Sequence, residues 1–301
     1  MGMKGMTVVI TGATAGIGRV TARELAKAGA RILLAARSRE KAEETRRWIR
    51  EAAPGADVQL LIADLSSLAQ VRSVAEQVSS LGPVNVLVNN VGAIFQRRME
   101  TVDGREMTFA LNHLTPFLLT NLLRDALRRG APSRVVTVSS AAHERARMDF
   151  DDLEGRARYR AWKAYGQSKL ANLLFTFELA RRLRGSGITA NALHPGFVAS
   201  EFGKNNGGSL RVMMSIAQRL GAISVEEGAR TSIYLASAED IHGATGKYFV
   251  KSREAQSAPA SRDRESMRRL WEVSAEMVGL AGEGVPEENA SPLGESLETL
   301  R

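Results

Sequence analysis

Short apolar runs alternate along the chain with longer segments in which apolar residues recur every three or four positions. Within the runs, apolar and polar residues do not alternate, which is typical of parallel strands covered on both faces. The pattern predicts seven strands, at about 7–10, 31–36, 58–63, 84–88, 134–138, 188–193 and 248–250. It predicts helices at about 17–28, 41–53, 66–80, 103–127, 162–183, 225–236 and 262–280.

Strands and helices that repeat at this spacing are joined by right-handed crossovers. We therefore expect an α/β fold with a doubly wound, Rossmann-type, mostly parallel seven-stranded sheet and helices on both faces. Residues 1–280 are expected to form a single domain, with a kink at Pro116 in the fourth helix and a C-terminal helix at about 262–280. The remaining residues, 281–301, are rich in glycine, proline and glutamate and are expected to form a mobile tail.

The composition excludes several kinds of site. The 301-residue chain contains no cysteine, which excludes disulfides, thiolate metal sites and cysteine nucleophiles. Its histidines show no metal-binding spacing, so we expect no metal; they are His113, His143, His194 and His242. No apolar run reaches the ~18–20 residues of a membrane span. Since the sequence also shows no signal peptide, we expect a cytoplasmic protein.

The net charge of +8 raises the alternative of a protein that binds nucleic acid or an anionic membrane. The basic residues are scattered along the predicted helices and are not interleaved with aromatic residues. This distribution favours solvated helix faces, so we expect no nucleic-acid partner. Salt-dependent binding of DNA or of anionic vesicles would test the alternative.

Three glycines lie between the first strand and the first helix, with the spacing Gly-x-x-x-Gly-x-Gly. Glycine lets the backbone turn sharply and approach a pyrophosphate, and the N–H groups at a helix start stabilise the anion. The alternative is a tight turn without a ligand, but the position at the first strand–helix junction favours a dinucleotide-binding domain. The predicted phosphate-binding residues are Gly12, Thr14, Ala15, Gly16, Ile17 and Gly18.

The end of the second strand distinguishes NAD from NADP. NAD-binding folds usually carry a carboxylate there, which accepts from the ribose 2′-OH. Here Arg37 follows two alanines, and its guanidinium suits the 2′-phosphate of NADP(H). The alternative is that Arg37 is an ordinary surface arginine. Further cofactor residues are expected after the third and fourth strands: Asp64 and Leu65 near the adenine, and Asn90 and Gly92 in what is otherwise an ordinary turn.

Tyr165 and Lys169 lie four residues apart on a predicted helix and share one of its faces. A phenol has a pKa near 10, but a neighbouring ammonium lowers that pKa and makes the phenol a usable general acid–base. The pair alone is a weak signal, because a tyrosine beside a solvated lysine is common. Its context strengthens it: Ser139 and Ser140 end the fifth strand, Asn112 lies in the preceding long helix, and Pro195 and Gly196 follow the sixth strand.

These motifs resemble those of the short-chain dehydrogenases/reductases. The matching stretches occur in the family's order and cover about residues 5–250: Thr11 to Gly18, Asp64-Leu65, Asn89 to Gly92, Asn112, Ser140, Tyr165 to Lys169 and Pro195-Gly196. Four stretches look most like the retinol-dehydrogenase-like branch: Asn112 to Phe117, Tyr165 to Phe175, His194 to Gly196 and Trp271 to Ser274.

The resemblance implies roles for these residues. Tyr165 would be the general acid in reduction and the base in oxidation, while Lys169 would lower its pKa and hold the nicotinamide ribose. Ser140, rather than Ser139, would orient the substrate oxygen. Asn112 would hold a water that relays protons from Lys169. The cofactor residues beside the nicotinamide would be Pro195, Gly196, Val198 and Ser200.

The sequence thus predicts an NADP(H)-dependent oxidoreductase that acts on a lipophilic alcohol, aldehyde or ketone. Residues 197–223 are predicted to form a lid over the pocket or, equally, an ordinary surface helix, and the arginine-rich segment 144–160 is expected to shape the substrate entrance. A protein that senses NADP(H) without turnover is the alternative, although a sensor would not need the Tyr165–Lys169 pair. A homodimer through the two long helices, common in the family, is compatible with their mixed apolar and charged faces.

Overall fold

The computed structural model describes residues 2–198 and 222–280. Its centre is one sheet whose strands are β1 (Thr7–Thr11), β2 (Arg31–Ala36), β3 (Val58–Ile62), β4 (Val86–Asn89), β5 (Ser133–Val138), β6 (Ile188–His194), β7 (Tyr248–Val250) and β8 (Arg253–Ala255). The strand order is β3-β2-β1-β4-β5-β6-β7-β8. Strands β1 to β7 are parallel, and β8 pairs with β7 in the antiparallel direction. The order reverses at β1, which places the gap between β1 and β4 at the centre of the ligand-binding edge.

The doubly wound fold predicted from the sequence is confirmed, and all seven predicted strands are present. The eighth strand was not predicted, because its residues are few and mostly polar. It follows β7 through a tight turn in which Lys251 and Ser252 have φ angles of 50° and 59°. Left-handed φ values at both central residues are typical of the turns that join two antiparallel strands.

Helices cover both faces of the sheet: α1 (Gly16–Lys27), α2 (Arg39–Ala52), α3 (Leu68–Ser80), α4 (Met107–Phe109), α5 (Thr115–Leu122), α6 (Arg124–Arg129), α7 (Ala161–Arg182), α8 (Val225–Ser237) and α9 (Arg264–Met277). Alternate residues of β1 point to opposite layers. Val9 packs with apolar residues of α3, α5, α7 and α9, whereas Val8 and Ile10 pack with those of α1, α2 and α8. The strands are therefore apolar on both faces, as their unbroken apolar runs predicted.

The long helix predicted at 103–127 is wrong as a continuous element. It begins at Met107, passes through a π-helical turn at Ala110–Leu114 and ends at Leu122, before the separate helix α6. Pro116 explains the irregularity, because it has no N–H to donate to the carbonyl of Asn112, four residues earlier. Within the turn, the N–H of Thr115 bonds instead to the carbonyl of Ala110, five residues back. The break expected at Pro116 therefore lies in the turn that carries Asn112.

Most of the predicted lid, 197–223, and the whole of the predicted tail, 281–301, lie outside the described residues. Within the described part of the chain, no helix is long and apolar enough to cross a membrane.

Candidate active site

A cavity of about 520 Å³ opens at the carboxyl ends of the parallel strands, over the gap between β1 and β4. It brings together residues that the sequence places far apart: Gly12, Thr14, Ala15, Gly16, Ile17, Gly18, Arg37, Asp64, Leu65, Asn90, Gly92, Ser140, Tyr165, Lys169, Pro195, Gly196 and Val198. Asn112 lies behind the cavity wall and is fully buried. Ser200 lies outside the described residues. All but these two of the predicted site residues thus line one cleft.

The glycine turn between β1 and α1 is held from beneath by Asn90. The Nδ2 group of Asn90 donates to the carbonyls of Thr11, at 2.9 Å, and Gly12, at 3.0 Å. A Cβ on Gly18 would lie 2.4 Å from this nitrogen and 2.7 Å from the carbonyl oxygen of Gly12. Gly12 and Gly16 have φ angles of 66° and 55°, which residues with a side chain rarely adopt. The turn therefore requires glycine both for its conformation and for the close approach of Asn90.

The N-terminus of α1 faces the cavity without a capping side chain. Its N-cap residue, Ala15, makes no side-chain hydrogen bond to the helix, and the first turn carries no acidic residue. The first N–H groups of a helix have no partners within the helix and carry partial positive charge. Together with the narrow glycine turn, they form a cradle that fits a pyrophosphate.

Arg37 is exposed at the rim of the cavity, directly after β2. No carboxylate within residues 2–198 and 222–280 forms an ion pair with it. Ser38, the next residue, caps α2 by accepting from the N–H of Lys41 at 3.3 Å. On the neighbouring strand end, Oδ1 of Asp64 accepts from the N–H of Ser66 at 3.0 Å and from its hydroxyl at 2.8 Å. The Arg37 guanidinium therefore remains available to an anion at this rim.

Ser140, Tyr165 and Lys169 meet on the floor of the cavity, where α7 crosses the end of β5. Ser140 lies close enough to Tyr165 for its hydroxyl to lower the pKa of the phenol. The Lys169 ammonium donates to the carbonyl of Val138 at 3.1 Å and lies 5.7 Å from the centroid of the Tyr165 ring. Ser139 points elsewhere, since its hydroxyl donates to the carbonyl of Lys169 at 2.7 Å. Of the two serines, Ser140 is the one whose side chain interacts with Tyr165.

Burial dominates the electrostatics of the pair on α7. It raises the pKa of Tyr165 to about 12, and the hydrogen bond to Ser140 works in the opposite direction. Burial also lowers the pKa of Lys169 to about 8. At neutral pH the structure therefore holds a protonated phenol beside an ammonium that is close to its titration range.

Asn112 is connected to the site through its neighbours. Its Oδ1 accepts from the N–H of Ala93 at 2.8 Å, while its Nδ2 donates to the carbonyl of Ala93 at 2.9 Å and to the hydroxyl of Ser168 at 2.9 Å. Ser168 in turn donates to the carbonyl of Tyr165 at 2.7 Å. The side chain of Asn112 therefore ties the loop after β4 to the helix that carries Tyr165.

Three of the histidines hold separate parts of the fold together through hydrogen bonds. His113 bonds to the hydroxyl of Ser274 at 2.8 Å, and its burial lowers its pKa to about 3. His143 and His194 bond to the backbone near Ser140. Among the described residues, no group of three or more histidines or carboxylates could hold a metal ion.

Aromatic residues at the mouth of the cavity were missed by the sequence analysis. Phe95, Trp162 and Phe197 line the cavity, and the ring of Trp162 lies 6.1 Å from that of Tyr165. Trp162 and Phe197 are 48% and 44% exposed. Two signals would have found them. Phe95 and Phe197 follow the ends of β4 and β6, and Trp162 lies three residues before Tyr165, on the same helix face.

The segment 144–160 packs against the loop that carries Phe95. The Tyr159 hydroxyl donates to the carbonyl of Phe95 at 2.8 Å and lies 3.0 Å from the hydroxyl of Thr108. Oε1 of Glu154 accepts from the N–H of Glu106 at 2.9 Å. This arginine-rich segment therefore supports one wall of the substrate end, next to the entrance.

Known proteins resemble this chain in both sequence and structure. The sequence matches the short chain dehydrogenase family model over residues 6–209. Retinol dehydrogenase 13 of Homo sapiens is 44% identical over 292 residues, which cover 94% of this chain and 88% of the relative. An uncharacterised protein of Mycobacterium paratuberculosis has a crystal structure that matches with a TM-score of 0.75 and 35% identity, covering 92% of this chain and 95% of the other.

A second solved structure is the active-site complex of Pseudomonas aeruginosa RhlG with NADP. It matches with a TM-score of 0.66 and 28% identity, covering 82% of this chain and 95% of the other. The family match spans most of the chain, and it includes the glycine turn and the Tyr165–Lys169 pair. The chain therefore belongs to the short-chain dehydrogenase/reductase family of oxidoreductases, which use a nicotinamide cofactor, and to its retinol-dehydrogenase-like branch.

Proposed function

We propose that this protein is an NADP(H)-dependent oxidoreductase that interconverts a lipophilic alcohol and the corresponding aldehyde or ketone. The observation that carries the proposal is the meeting of Ser140, Tyr165 and Lys169 on the floor of a cleft whose other end is the glycine turn. A protein that only senses the cofactor has no need of two hydroxyls and an ammonium gathered on the floor of the cleft. The arrangement favours turnover over sensing.

The cofactor end of the cleft fits a dinucleotide. The glycine turn and the first N–H groups of α1 would hold the pyrophosphate, and Asp64, Leu65 and Asn90 would lie along the adenosine and ribose. Lys169, Pro195, Gly196 and Val198 would hold the nicotinamide end, where Gly92 leaves room for the lysine: a Cβ on Gly92 would lie 3.0 Å from Nζ. Bound there, the nicotinamide would supply or accept the hydride.

The preference for NADP(H) rests on Arg37. Its guanidinium forms no ion pair with the described carboxylates and stands where NAD-specific folds usually place a carboxylate. Guanidinium groups bind phosphate through two parallel hydrogen bonds, whereas a ribose hydroxyl would gain little from this charge. The NADP bound by RhlG, a relative in structure, supports the same preference.

The acid–base roles follow from the protonation states. In reduction, Tyr165 would donate its proton to the carbonyl oxygen while Ser140 donates a hydrogen bond to the same oxygen. In oxidation the phenolate of Tyr165 would accept the proton of the alcohol. The ammonium of Lys169 would stabilise this phenolate before the transfer. Asn112 would support the relay that reprotonates Tyr165; because its side chain is occupied by Ala93 and Ser168, its backbone carbonyl is the group that would hold a water.

The apolar mouth of the cavity supports a lipophilic substrate. Phe95, Leu111, Trp162 and Phe197 offer wide apolar surfaces next to Tyr165, which suit a lipophilic body attached to the reacting carbon. The relative named retinol dehydrogenase also supports a lipophilic alcohol. We therefore expect longer aliphatic and polyene aldehydes to be reduced with lower KM values than short polar ones.

The first experiment is a binding titration of NADPH and NADH. The wild type should bind NADPH at least about tenfold more tightly, which is about 1.4 kcal/mol. Arg37→Ala should lose this preference, whereas Arg47→Ala, which removes an exposed arginine from the far side of α2, should keep it. Equal affinities in the wild type would make Arg37 a surface arginine and would overturn the cofactor assignment.

Turnover is then measured with NADPH and a panel of aldehydes and ketones that vary in chain length. Consumption of NADPH that requires the carbonyl compound supports the enzyme. Tight NADPH binding without turnover of any panel member would favour the sensor instead.

A further inference from the structure

Two histidines lie on either side of the peptide bond that follows Ser140. His143 belongs to a short helical turn, Ala141–Arg145, and His194 is the last residue of β6. The acid–base chemistry above uses neither side chain. Both nevertheless contact the same peptide unit, formed by the carbonyl of Ser140 and the N–H of Ala141.

The two contacts hold this peptide unit at both of its polar atoms. The carbonyl of Ser140 accepts from Nδ1 of His143 at 2.6 Å and from the backbone N–H of His143 at 3.1 Å. The N–H of Ala141 donates to Nδ1 of His194 at 3.2 Å. The peptide therefore cannot rotate without breaking a hydrogen bond to an imidazole.

The partners fix the protonation of each ring. A carbonyl only accepts, so Nδ1 of His143 carries a proton; its Nε2 accepts from the N–H of Ala258 at 3.2 Å and therefore carries none. Nδ1 of His194 accepts from Ala141 and is also unprotonated. Burial lowers the pKa of both histidines, which keeps both rings neutral at pH 7.

The Ser140 hydroxyl depends on the orientation of this peptide. Ser140 has an extended backbone, with φ −158° and ψ 154°, and its Oγ accepts from the N–H of Ala142 at 3.2 Å. The same hydroxyl meets Tyr165. Rotation of the Ser140–Ala141 peptide would move Ala142 and change the direction of the hydroxyl.

We propose that His143 and His194 are positioning residues that hold the Ser140–Ala141 peptide and so direct the Ser140 hydroxyl toward the substrate oxygen. The inference rests on the proposed function, because it assumes that Ser140 orients the substrate. A displacement of about 1 Å in such a group can cost about 100-fold in rate. His143 also ties Ser140 to the chain after β8 through Ala258.

Acid should disrupt this arrangement. Protonation of His194 would place a hydrogen on Nδ1 against the N–H of Ala141, and protonation of His143 would do the same against Ala258. Among the described residues, three groups face the two rings: Glu144, which opposes the lowering of both pKa values, the other histidine of the pair, and Tyr248, whose ring lies 5.3 Å from that of His143. Because burial outweighs Glu144, the hydrogen bonds should be lost only as the pH falls below the ordinary histidine range.

The test compares His194→Leu with His194→Asn. Leucine fills a similar volume but cannot accept a hydrogen bond, whereas the Oδ1 of asparagine can replace Nδ1. We expect His194→Leu to lower kcat about 10- to 100-fold, with KM and the Kd for NADPH unchanged. His194→Asn should restore most of kcat and, because asparagine does not titrate, keep it to a lower pH than the wild type. His242→Asn, at an exposed histidine, is the matched control.

The inference is overturned if the leucine and asparagine variants lose kcat equally, or if neither does. It is also overturned if kcat and NADPH affinity fall together, as in a general loss of structure. If His194→Leu does not fold, His143→Gln serves instead: it keeps an acceptor for Ala258 but loses the donor to Ser140, and the same fall in kcat is expected. Ser140→Ala separates this inference from the proposed function. If that variant turns over normally, the role of Ser140 is wrong, whereas if it is inactive and the histidine variants are normal, only the positioning role fails.

Discussion

The phosphate-binding end of the cleft is built mainly from backbone groups, whereas the substrate end is built mainly from side chains. At the pyrophosphate-binding turn, the contacts come from backbone N–H groups and glycines, and Asn90 holds the turn in place through backbone carbonyls. At the substrate end, the walls are the side chains of Phe95 and Phe197, which are carried by loops, and of Trp162, in the first turn of α7. A surface made of backbone has one shape as long as the fold is intact, whereas a wall of side chains changes with each substitution.

The difference divides the work of the site. The cofactor end must bind one molecule, and a rigid turn at the centre of the sheet suits that task. The substrate end decides which carbonyl reaches Tyr165, and loop side chains can vary without disturbing the sheet. Substitutions at Tyr165 and Lys169, where the two ends meet, should lower kcat. Those at the glycine turn should weaken NADPH binding, and those at the aromatic end should change which substrates are preferred.

The largest effect is expected where the two ends meet. Tyr165→Phe removes the proton donor and acceptor but leaves the ring in place, so kcat should fall by about 10²- to 10⁴-fold. The Kd for NADPH should stay near the wild-type value. Tyr234→Phe is the control, because its hydroxyl bonds to Asp240 at the surface, at 3.0 Å. Retained turnover in Tyr165→Phe would remove the acid–base assignment.

At the glycine end, Gly18→Ala should weaken NADPH binding without touching the catalytic groups. The added Cβ would meet Asn90 and the Gly12 carbonyl at distances that no relaxed structure allows, so the turn must shift. Overpacking of this kind costs about 1–3 kcal/mol, and we expect an affinity for NADPH about 30-fold lower or worse. Gly2→Ala, at a glycine with no atom nearby, should bind normally. Wild-type affinity in Gly18→Ala would show that the turn does not hold the cofactor.

The difference between backbone and side-chain features also explains which parts of the structure the sequence predicts well. The seven parallel strands and the glycine turn follow from local patterns, since an unbroken apolar run and a glycine spacing each specify a backbone conformation. The Tyr165–Lys169 pair follows from helical spacing. These features depend on residues close together in the chain, and their positions in the structure are those expected.

Features that depend on distant residues could not be predicted in this way. The π-helical turn at Asn112 required knowing how the backbone would adjust before Pro116. The strand β8 has too few residues for a pattern. The aromatic mouth and the contacts of His143 and His194 arise because separate strand ends meet at one edge of the sheet. The spacing of residues along the chain does not predict which of these side chains come into contact.

A smaller effect is expected from the titration of Lys169, beside Tyr165, as the pH rises. Because burial lowers the pKa of Lys169 to about 8, its ammonium should be lost as the pH rises through that value. Tyr165, with a pKa raised to about 12, stays protonated over the same range. The kcat for reduction should therefore be level near pH 7 and fall by about tenfold at one unit above the Lys169 pKa. Lys169→Arg, whose guanidinium does not titrate there, should lack this fall whatever its absolute rate. An identical fall in both would assign it to another group.

The smallest effect is expected at the aromatic end, from Tyr159→Phe. The change removes the hydroxyl that donates to the Phe95 carbonyl and leaves the ring of residue 159 in its place. One such hydrogen bond contributes about 1 kcal/mol, so the KM of long apolar substrates should rise about two- to fivefold as Phe95 loses its support. Short substrates do not reach Phe95 and should keep their KM, and kcat should not change for either class. Measurement of KM across the chain-length series distinguishes this from a general loosening of the site, which would raise KM for short and long substrates alike. A selective rise would show that the segment 144–160 sets preference from outside the cleft, through the backbone of the wall that it supports.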